Sequence, residues 1–310
     1  MSKIAILTSS FGTEDSAPLE RLRKDGAQII MSPHKRKVTP EEILQIAGDC
    51  DGIIAGLEDL NASVLQKLSK LRVISRVGVG LDNVDMEAAK KLDIQVYNTP
   101  DAVTPAVAEL TIGLIIDLLR HISSSHENLR KELWKKEMGN LLSGKKLGIV
   151  GFGRVGQLVA KFSSVFGAEL AYFDVQPDKK STVPYMSFEK LLSWADIITL
   201  HCSYSGNMVI DAGAIQKMKK GSWLINTARG QLVDEVALYE ALLSQKLMGV
   251  ALDVYANEPY TGPLKRDGLN VVITQHIGSY AKECRVRMEA EAVDNLLAGL
   301  KKNISKKAVC

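Results

Sequence analysis

The stretch from Leu147 to Asp174 constrains this chain more than any other. A short apolar run, Leu147-Gly148-Ile149-Val150, leads directly into Gly151-Phe152-Gly153-Arg154-Val155-Gly156. A segment of helical period follows, with Leu158, Val159, Phe162, Val165 and Phe166 on one face, and Gly167 ends it. A second apolar run over 170–173 then finishes on Asp174. Strand, glycine turn, helix and strand form a parallel β-α-β unit, so a parallel sheet with helices on its faces is the expected fold.

Each part of that unit has a task. Gly151 permits a tight turn, Gly153 lets backbone N–H groups approach a pyrophosphate, and Gly156 lets helix and strand pack closely. Arg154 and Val155 open the helix, whose N-terminus adds partial positive charge, and complete the phosphate-holding set. Asp174 stands where a carboxylate accepts hydrogen bonds from the hydroxyls of an adenosine ribose. The same carboxylate repels a 2′-phosphate, so NAD is expected rather than NADP; Lys179 and Lys180 read as surface charges. A methyltransferase using S-adenosylmethionine shares the glycine turn and acid, but lacks the downstream residues described below.

A chain of 310 residues has room for about two domains. Apolar runs at 4–7, 27–31, 52–55, 71–75 and 94–98 alternate with segments such as 17–25 and 40–47. In the latter, Thr39-Pro40-Glu41-Glu42 supplies an N-cap, a first-turn proline and acids at the helix dipole's positive end. A long helical tract is expected from Pro105 to about Arg130, then a polar linker over 134–144. Six further strands are expected at 147–150, 170–173, 197–200, 222–226, 249–253 and 271–274, with a closing helix over 283–300. Two doubly wound α/β domains fit this alternation: a Rossmann NAD-binding domain and a smaller flavodoxin-like domain.

Charge and cysteines narrow the classes further. The net charge of +3 is not concentrated on any face and does not argue for a nucleic-acid partner. The one basic tract, Lys301, Lys302, Lys306 and Lys307, reads as a solvated end. Cys50, Cys202, Cys284 and Cys310 form no paired motif, so neither a metal site nor a disulfide framework is indicated. The N-terminal run is too short for a secretory signal, and no apolar run approaches the ~20 residues that span a bilayer. A soluble, cytoplasmic protein with no membrane partner is the expectation.

Hydride removal from C2 of a hydroxy acid needs a base for the hydroxyl proton, a cation for the carboxylate and developing carbonyl, and a group that tunes the base. Rossmann-type sheets present such groups at the C-terminal ends of their strands. Three strand ends carry them: Ile225-Asn226-Thr227-Ala228-Arg229-Gly230, Ala251-Leu252-Asp253-Val254-Tyr255-Ala256-Asn257-Glu258-Pro259, and Val271-Val272-Ile273-Thr274-Gln275-His276-Ile277-Gly278. A guanidinium matches a carboxylate in geometry, which singles out Arg229. His276 follows a buried run and precedes a glycine turn. His201 also ends a run and reads as structural.

These motifs, in this order, resemble the D-isomer-specific 2-hydroxyacid dehydrogenase family, which includes 3-phosphoglycerate dehydrogenase. The similarity extends upstream, to Arg76-Val77-Gly78-Val79-Gly80-Leu81-Asp82-Asn83-Val84-Asp85 and to Asn98-Thr99-Pro100 followed by Ala106-Val107-Ala108-Glu109-Leu110. The resemblance implies that His276 is the acid/base and that Glu258 pairs with it and favours its protonated form. It implies that Arg229 orients the substrate and that N–H groups around Val79 and Gly80, beside Arg76, hold the substrate carboxylate. Asp253, Thr227 and Ala228, with Gly278, would line the nicotinamide pocket. Residues 1–99 with 281–310 would form the substrate domain, residues 100–280 the NAD-binding domain, and the chain would be a homodimer.

The chain departs from the family pattern in two places. Leu200-His201-Cys202-Ser203-Tyr204 and a short turn at Ser205-Gly206-Asn207 replace a longer loop, and Gln275 stands where the family has proline. With the chain ending after one helix, no C-terminal regulatory domain and no serine feedback are expected. The implied substrate is a small D-2-hydroxy or 2-keto acid. Arg76, Lys135 and Lys136 point to phosphoglycerate; hydroxypyruvate and glyoxylate are the alternatives, because Glu58 and Asp59 stand where phosphoglycerate enzymes often carry arginine. A non-catalytic, NAD-sensing corepressor is the reading from another class, and Arg229, Glu258 and His276 together argue against it.

Overall fold

A computed structural model describes residues 1–301. Cys310 and the lysines at 302, 306 and 307 lie outside the described residues. The chain divides into two compact units, Met1–Val103 with the chain from Ser279, and Thr104–Gly278.

The first unit alternates β1 (Lys3–Ile6), α1 (Ala17–Lys24), β2 (Gln28–Met31), α2 (Pro40–Ala47), β3 (Gly52–Ala55), α3 (Ala62–Leu65), β4 (Val73–Arg76), α4 (Met86–Lys91) and β5 (Gln95–Tyr97). Its five strands are all parallel, in the order β2-β1-β3-β4-β5. Thr39 and Glu42 form the reciprocal capping box that starts α2. The short helices α3 and α4 start at Asn61 and Asp85, whose side chains accept the N–H of Val64 and Ala88. The last helix, α11 (Lys282–Leu300), covers one face of this sheet. It approaches closely because a Cβ on Gly52 would meet Leu296 at 2.9 Å and one on Gly299 would meet Val73 at 2.9 Å. Ser75 adds a hydroxyl bond to the carbonyl of Ala292 at 2.8 Å.

The helical tract expected from Pro105 to Arg130 begins earlier and breaks once. Helix α5 runs over Pro100–Arg120 and α6 over Ile122–Arg130, with His121 between them at φ 56°, outside the right-handed helical range. Pro105 sits inside α5, near its start, where a proline removes only one N–H from the ladder. Although no uninterrupted apolar run approaches ~20 residues, helix α5 has the length and apolar composition to span a bilayer, but Leu114, Ile115, Leu118 and Leu119 belong to the core of the second unit. It is a core helix. The linker expected to be polar over 134–144 instead exposes Trp134, Met138 and Leu141.

The second unit continues with β6 (Lys146–Val150), α7 (Arg154–Val165), β7 (Glu169–Phe173), α8 (Phe188–Trp194), β8 (Ile197–Leu200), α9 (Ala212–Lys217), β9 (Ser222–Asn226), α10 (Glu235–Leu243), β10 (Leu247–Leu252) and β11 (Val271–Ile273). Its six parallel strands lie in the order β11-β10-β9-β8-β6-β7. Alternate residues feed two cores: Leu147, Ile149, Ile197 and Ile225 on one face, Val150, Ile198, Leu224 and Leu252 on the other. Both faces are buried, which explains why these strands read as continuous apolar runs. The order reverses at β6, between β7 and β8, and that reversal opens a crevice at the strands' C-terminal ends.

Candidate active site

The glycine turn lies at that crevice, and its three glycines are required for different reasons. Gly151 has φ 92°, and a Cβ there would stand 2.4 Å from the backbone nitrogen of Cys202, just beyond β8. A Cβ on Gly156 would stand 2.2 Å from the carbonyl oxygen of Gly151. A Cβ on Gly153 would meet nothing within 4 Å. The first two are glycines because the protein fills the space. The third, the N-cap of α7 with no side-chain cap, fronts an open cradle of the kind a pyrophosphate occupies. The residues present fit a dinucleotide.

Asp174 follows β7, and its carboxylate accepts the N–H of Phe152 at 2.6 Å and of Gln176 at 2.9 Å. Each oxygen thus takes one backbone bond and keeps acceptor capacity for a ribose hydroxyl. The carboxylate also braces the glycine turn, a role that spacing alone did not suggest.

At the ends of β9, β10 and β11 the three chemistry-bearing segments come together. His276 Nδ1 lies 3.0 Å from both Oε1 and Oε2 of Glu258. Burial pushes the Glu258 carboxyl up. The hydrogen bond and charge of His276, the N–H of Tyr255 and the charge of Arg229 together outweigh it and hold the group below its ordinary value. Glu258 is therefore ionised at neutral pH beside the imidazole. His276 itself has φ 55°, a conformation in which histidine is uncommon. The turn is held there by Asp253, whose carboxylate accepts the Thr274 hydroxyl at 2.6 Å and the N–H groups of Ile277 and Gly278 at 2.8 Å each. Asp253 was expected to line the nicotinamide pocket; its carboxylate is spent on the turn that carries His276.

Tyr255 was not singled out by the sequence. Its hydroxyl, pushed up by burial and by the charge of Asp253, stays protonated and donates to the carbonyl of Thr274 at 2.7 Å. Arg229 extends from the turn after β9, where its Nη1 donates to the carbonyl of Ala228 at 2.7 Å. Thr227, also at this turn, exchanges a hydroxyl bond of 3.0 Å with Thr111 of α5. His201 follows β8; burial pushes its pKa down to about 3, so the ring is neutral beside the Thr199 hydroxyl.

In the first unit, Arg76 ends β4, and Val79 and Gly80 lie just past it. Thr99 accepts the N–H of Gly78 at 2.8 Å and Asn98 donates to the carbonyl of Val79 at 2.8 Å. Among the described residues no protein acceptor takes the N–H of Val79 or Gly80. Arg76 folds over Gly78, its Nη1 donating to the carbonyl of Val77 at 3.0 Å.

Residues 112–278 match the model of the D-isomer specific 2-hydroxyacid dehydrogenase, NAD binding domain. The chain belongs to the D-isomer-specific 2-hydroxyacid dehydrogenase family. The dehydrogenase is 36% identical over 293 residues to a hydroxypyruvate reductase of Thermotoga maritima, covering 90% of this chain and 96% of that one. It is 38% identical over 287 residues to a glyoxylate reductase of Thermofilum pendens, covering 86% of this chain and 84% of the relative. Among solved structures, the TT0316 protein of Thermus thermophilus superposes with a TM-score of 0.91 at 36% identity, over 99% of this chain and all of the other. The dehydrogenase is an NAD-dependent oxidoreductase that moves a hydride between the cofactor and a small D-2-hydroxy or 2-keto acid.

Gly153→Ala separates the cradle from the fold. The melting temperature should be unchanged, since the added methyl meets no protein atom, while NADH affinity measured by fluorescence should fall about tenfold or more, ~1.4 kcal/mol. Unaltered affinity would mean that the cofactor's phosphates do not lie before Gly153.

Proposed function

We propose that the dehydrogenase works on a small, unphosphorylated acid of the hydroxypyruvate or glyoxylate kind. One observation carries this reading: the loop after β3 offers no cation for a phosphate. Glu58 is buried there with its carboxylate on the N–H of Gly56 at 2.5 Å, and Asp59 pairs with Lys37. A phosphate beside these acids would need compensating charge. The hydroxypyruvate and glyoxylate reductases support the same choice by matching over 96% and 84% of their length, whereas D-3-phosphoglycerate dehydrogenases at similar identity are matched over about half of theirs.

The turn from Gly151 to Gly156 and Asp174 would hold NADH, which would supply the hydride for C2. His276, held through Nδ1 by Glu258, has its other ring nitrogen for the proton that goes to the C2 oxygen. Arg229 orients the substrate and stabilises negative charge on that oxygen as it develops. In the first unit, the turn at Val79 and Gly80 with Arg76 is the carboxylate-holding element. Asp174 favours NAD by facing the adenosine ribose.

We also propose a homodimer. Trp134 and Met138 are 82% and 93% exposed, and Ile122, Leu129, Leu133 and Leu141 are exposed in the same stretch. So many large apolar side chains in one segment are characteristic of an interaction surface. A cytoplasmic setting is supported by the unpaired thiols of Cys50, Cys202 and Cys284.

Four measurements test these readings. Following NADH absorbance with hydroxypyruvate, glyoxylate and phosphohydroxypyruvate should give the highest kcat/KM for one of the first two. A preference for the phosphorylated acid would reverse the substrate assignment, and turnover of none would favour the sensing role. His276→Ala should lower kcat by ~10²-fold or more while NADH affinity holds. Glu258→Gln should lower kcat for keto-acid reduction by about tenfold or more while NADH affinity holds, because the ring loses the carboxylate that meets Nδ1 at 3.0 Å. An unchanged kcat would remove Glu258 from the proton transfer. Finally, Trp134→Glu should convert a dimer to a monomer in light scattering, and a monomeric parent protein would dismiss the dimer.

A further inference from the structure

We infer that Asn226 is a positioning residue for Arg229, fixing the direction in which the guanidinium leaves the sheet. Asn226 is the last residue of β9 and its side chain is fully buried. Its amide is used twice, both times on the turn it precedes: Oδ1 accepts the N–H of Ala228 at 3.0 Å, and Nδ2 donates to the carbonyl of Arg229 at 2.8 Å. The amide therefore closes a ring around residues 226–229, and the peptide units on either side of the one between Ala228 and Arg229 are both tied to the strand by it. The backbone of Asn226 is fixed in turn by its pairing between Leu200 and Leu252 and by the N–H of Asp253, which donates to its carbonyl at 3.0 Å.

The far side of the same turn is fixed by contact. A Cβ on Gly230 would fall 1.8 Å from the carbonyl carbon of Tyr255 and 2.3 Å from the nitrogen of Ala256. The residue after Arg229 thus lies flat against the segment that leads to Glu258. Arg229 hangs between a side-chain clamp and a backbone contact, and its charge reaches Glu258, whose carboxyl it helps to hold below its ordinary value. A buried amide that meets donor with acceptor on both of its groups sets a loop's geometry more narrowly than apolar packing does. An aspartate of the same shape would keep the bond to Ala228 but set an acceptor against the carbonyl of Arg229.

This inference rests on the reading of Arg229 as the substrate-orienting cation. The test compares Asn226→Asp and Asn226→Ala with the parent enzyme, and repeats both in an Arg229→Lys background. Asn226→Asp should lose roughly tenfold or more in kcat/KM for the keto acid, with NADH affinity far less affected. In the Arg229→Lys background the same change should cost much less, because the group being positioned is already altered. Additive losses, equal losses in kcat/KM and NADH affinity, or an aspartate variant with full activity would each overturn the inference. If the alanine variant does not fold, the isosteric aspartate variant carries the test. Full activity in Arg229→Lys alone would instead remove the reading of Arg229, and that outcome is seen before any Asn226 variant is compared.

Discussion

Asp253 is almost wholly buried just past β10, and no ion pair is seen for it among the described residues. A buried carboxylate is costly unless its lone pairs are met. Here three donors from residues 274–278 meet them, and the same bonds hold His276 at a positive φ that costs about 1–3 kcal/mol on its own. The cost of the backbone and the cost of the buried charge are thus offset by one set of interactions. Remove the carboxylate and the turn relaxes toward conformations that point the imidazole elsewhere. The position of the base relative to Glu258 depends on it.

From that turn the ties spread through the strand ends. Tyr255 links β10 to β11 by its hydroxyl on Thr274 and meets the Glu258 carboxylate with its N–H at 3.3 Å. Its backbone is the surface against which Gly230 packs, so the segments bearing Arg229, Glu258 and His276 are held to each other by three kinds of contact. Neither Asp253 nor Tyr255 needs to touch substrate for this. The rigidity they provide matters because a proton donor or a guanidinium displaced by an ångström loses much of its effect.

How much of this could be read in the chain differs by kind of information. Long elements were legible because burial on both faces of a parallel sheet writes continuous apolar runs, and the predicted strands lie within a residue or two of those observed. The glycine turn and Asp174 were legible because the tasks of the three glycines depend on local geometry. The short helices after Asn61 and Asp85 were not, since a single turn leaves too few residues for a period. The break at His121 was hidden because residues on both sides keep helical character and only one backbone angle changes. The roles of Asp253, Tyr255 and Asn226 were out of reach for another reason. Their partners are set by strand order, and the chain does not announce that β9, β10 and β11 end side by side.

The two strand-end histidines show what placement adds to chemical identity. His201 and His276 both follow apolar strands, and spacing distinguishes them weakly. Burial around His201 depresses its pKa to about 3, so the folded protein keeps it neutral and it cannot exchange a proton near neutrality. The sign of the consequence is fixed. Below the ordinary value of 6.5 the unfolded chain takes up a proton that the folded one refuses, so this residue withdraws stability as pH falls from 6.5 toward 3. His276 keeps 37% of its side chain exposed and holds Nδ1 3.0 Å from the Glu258 carboxylate. One histidine is fixed in a single charge state by its surroundings. The other stands where both water and an ionised carboxylate reach its ring.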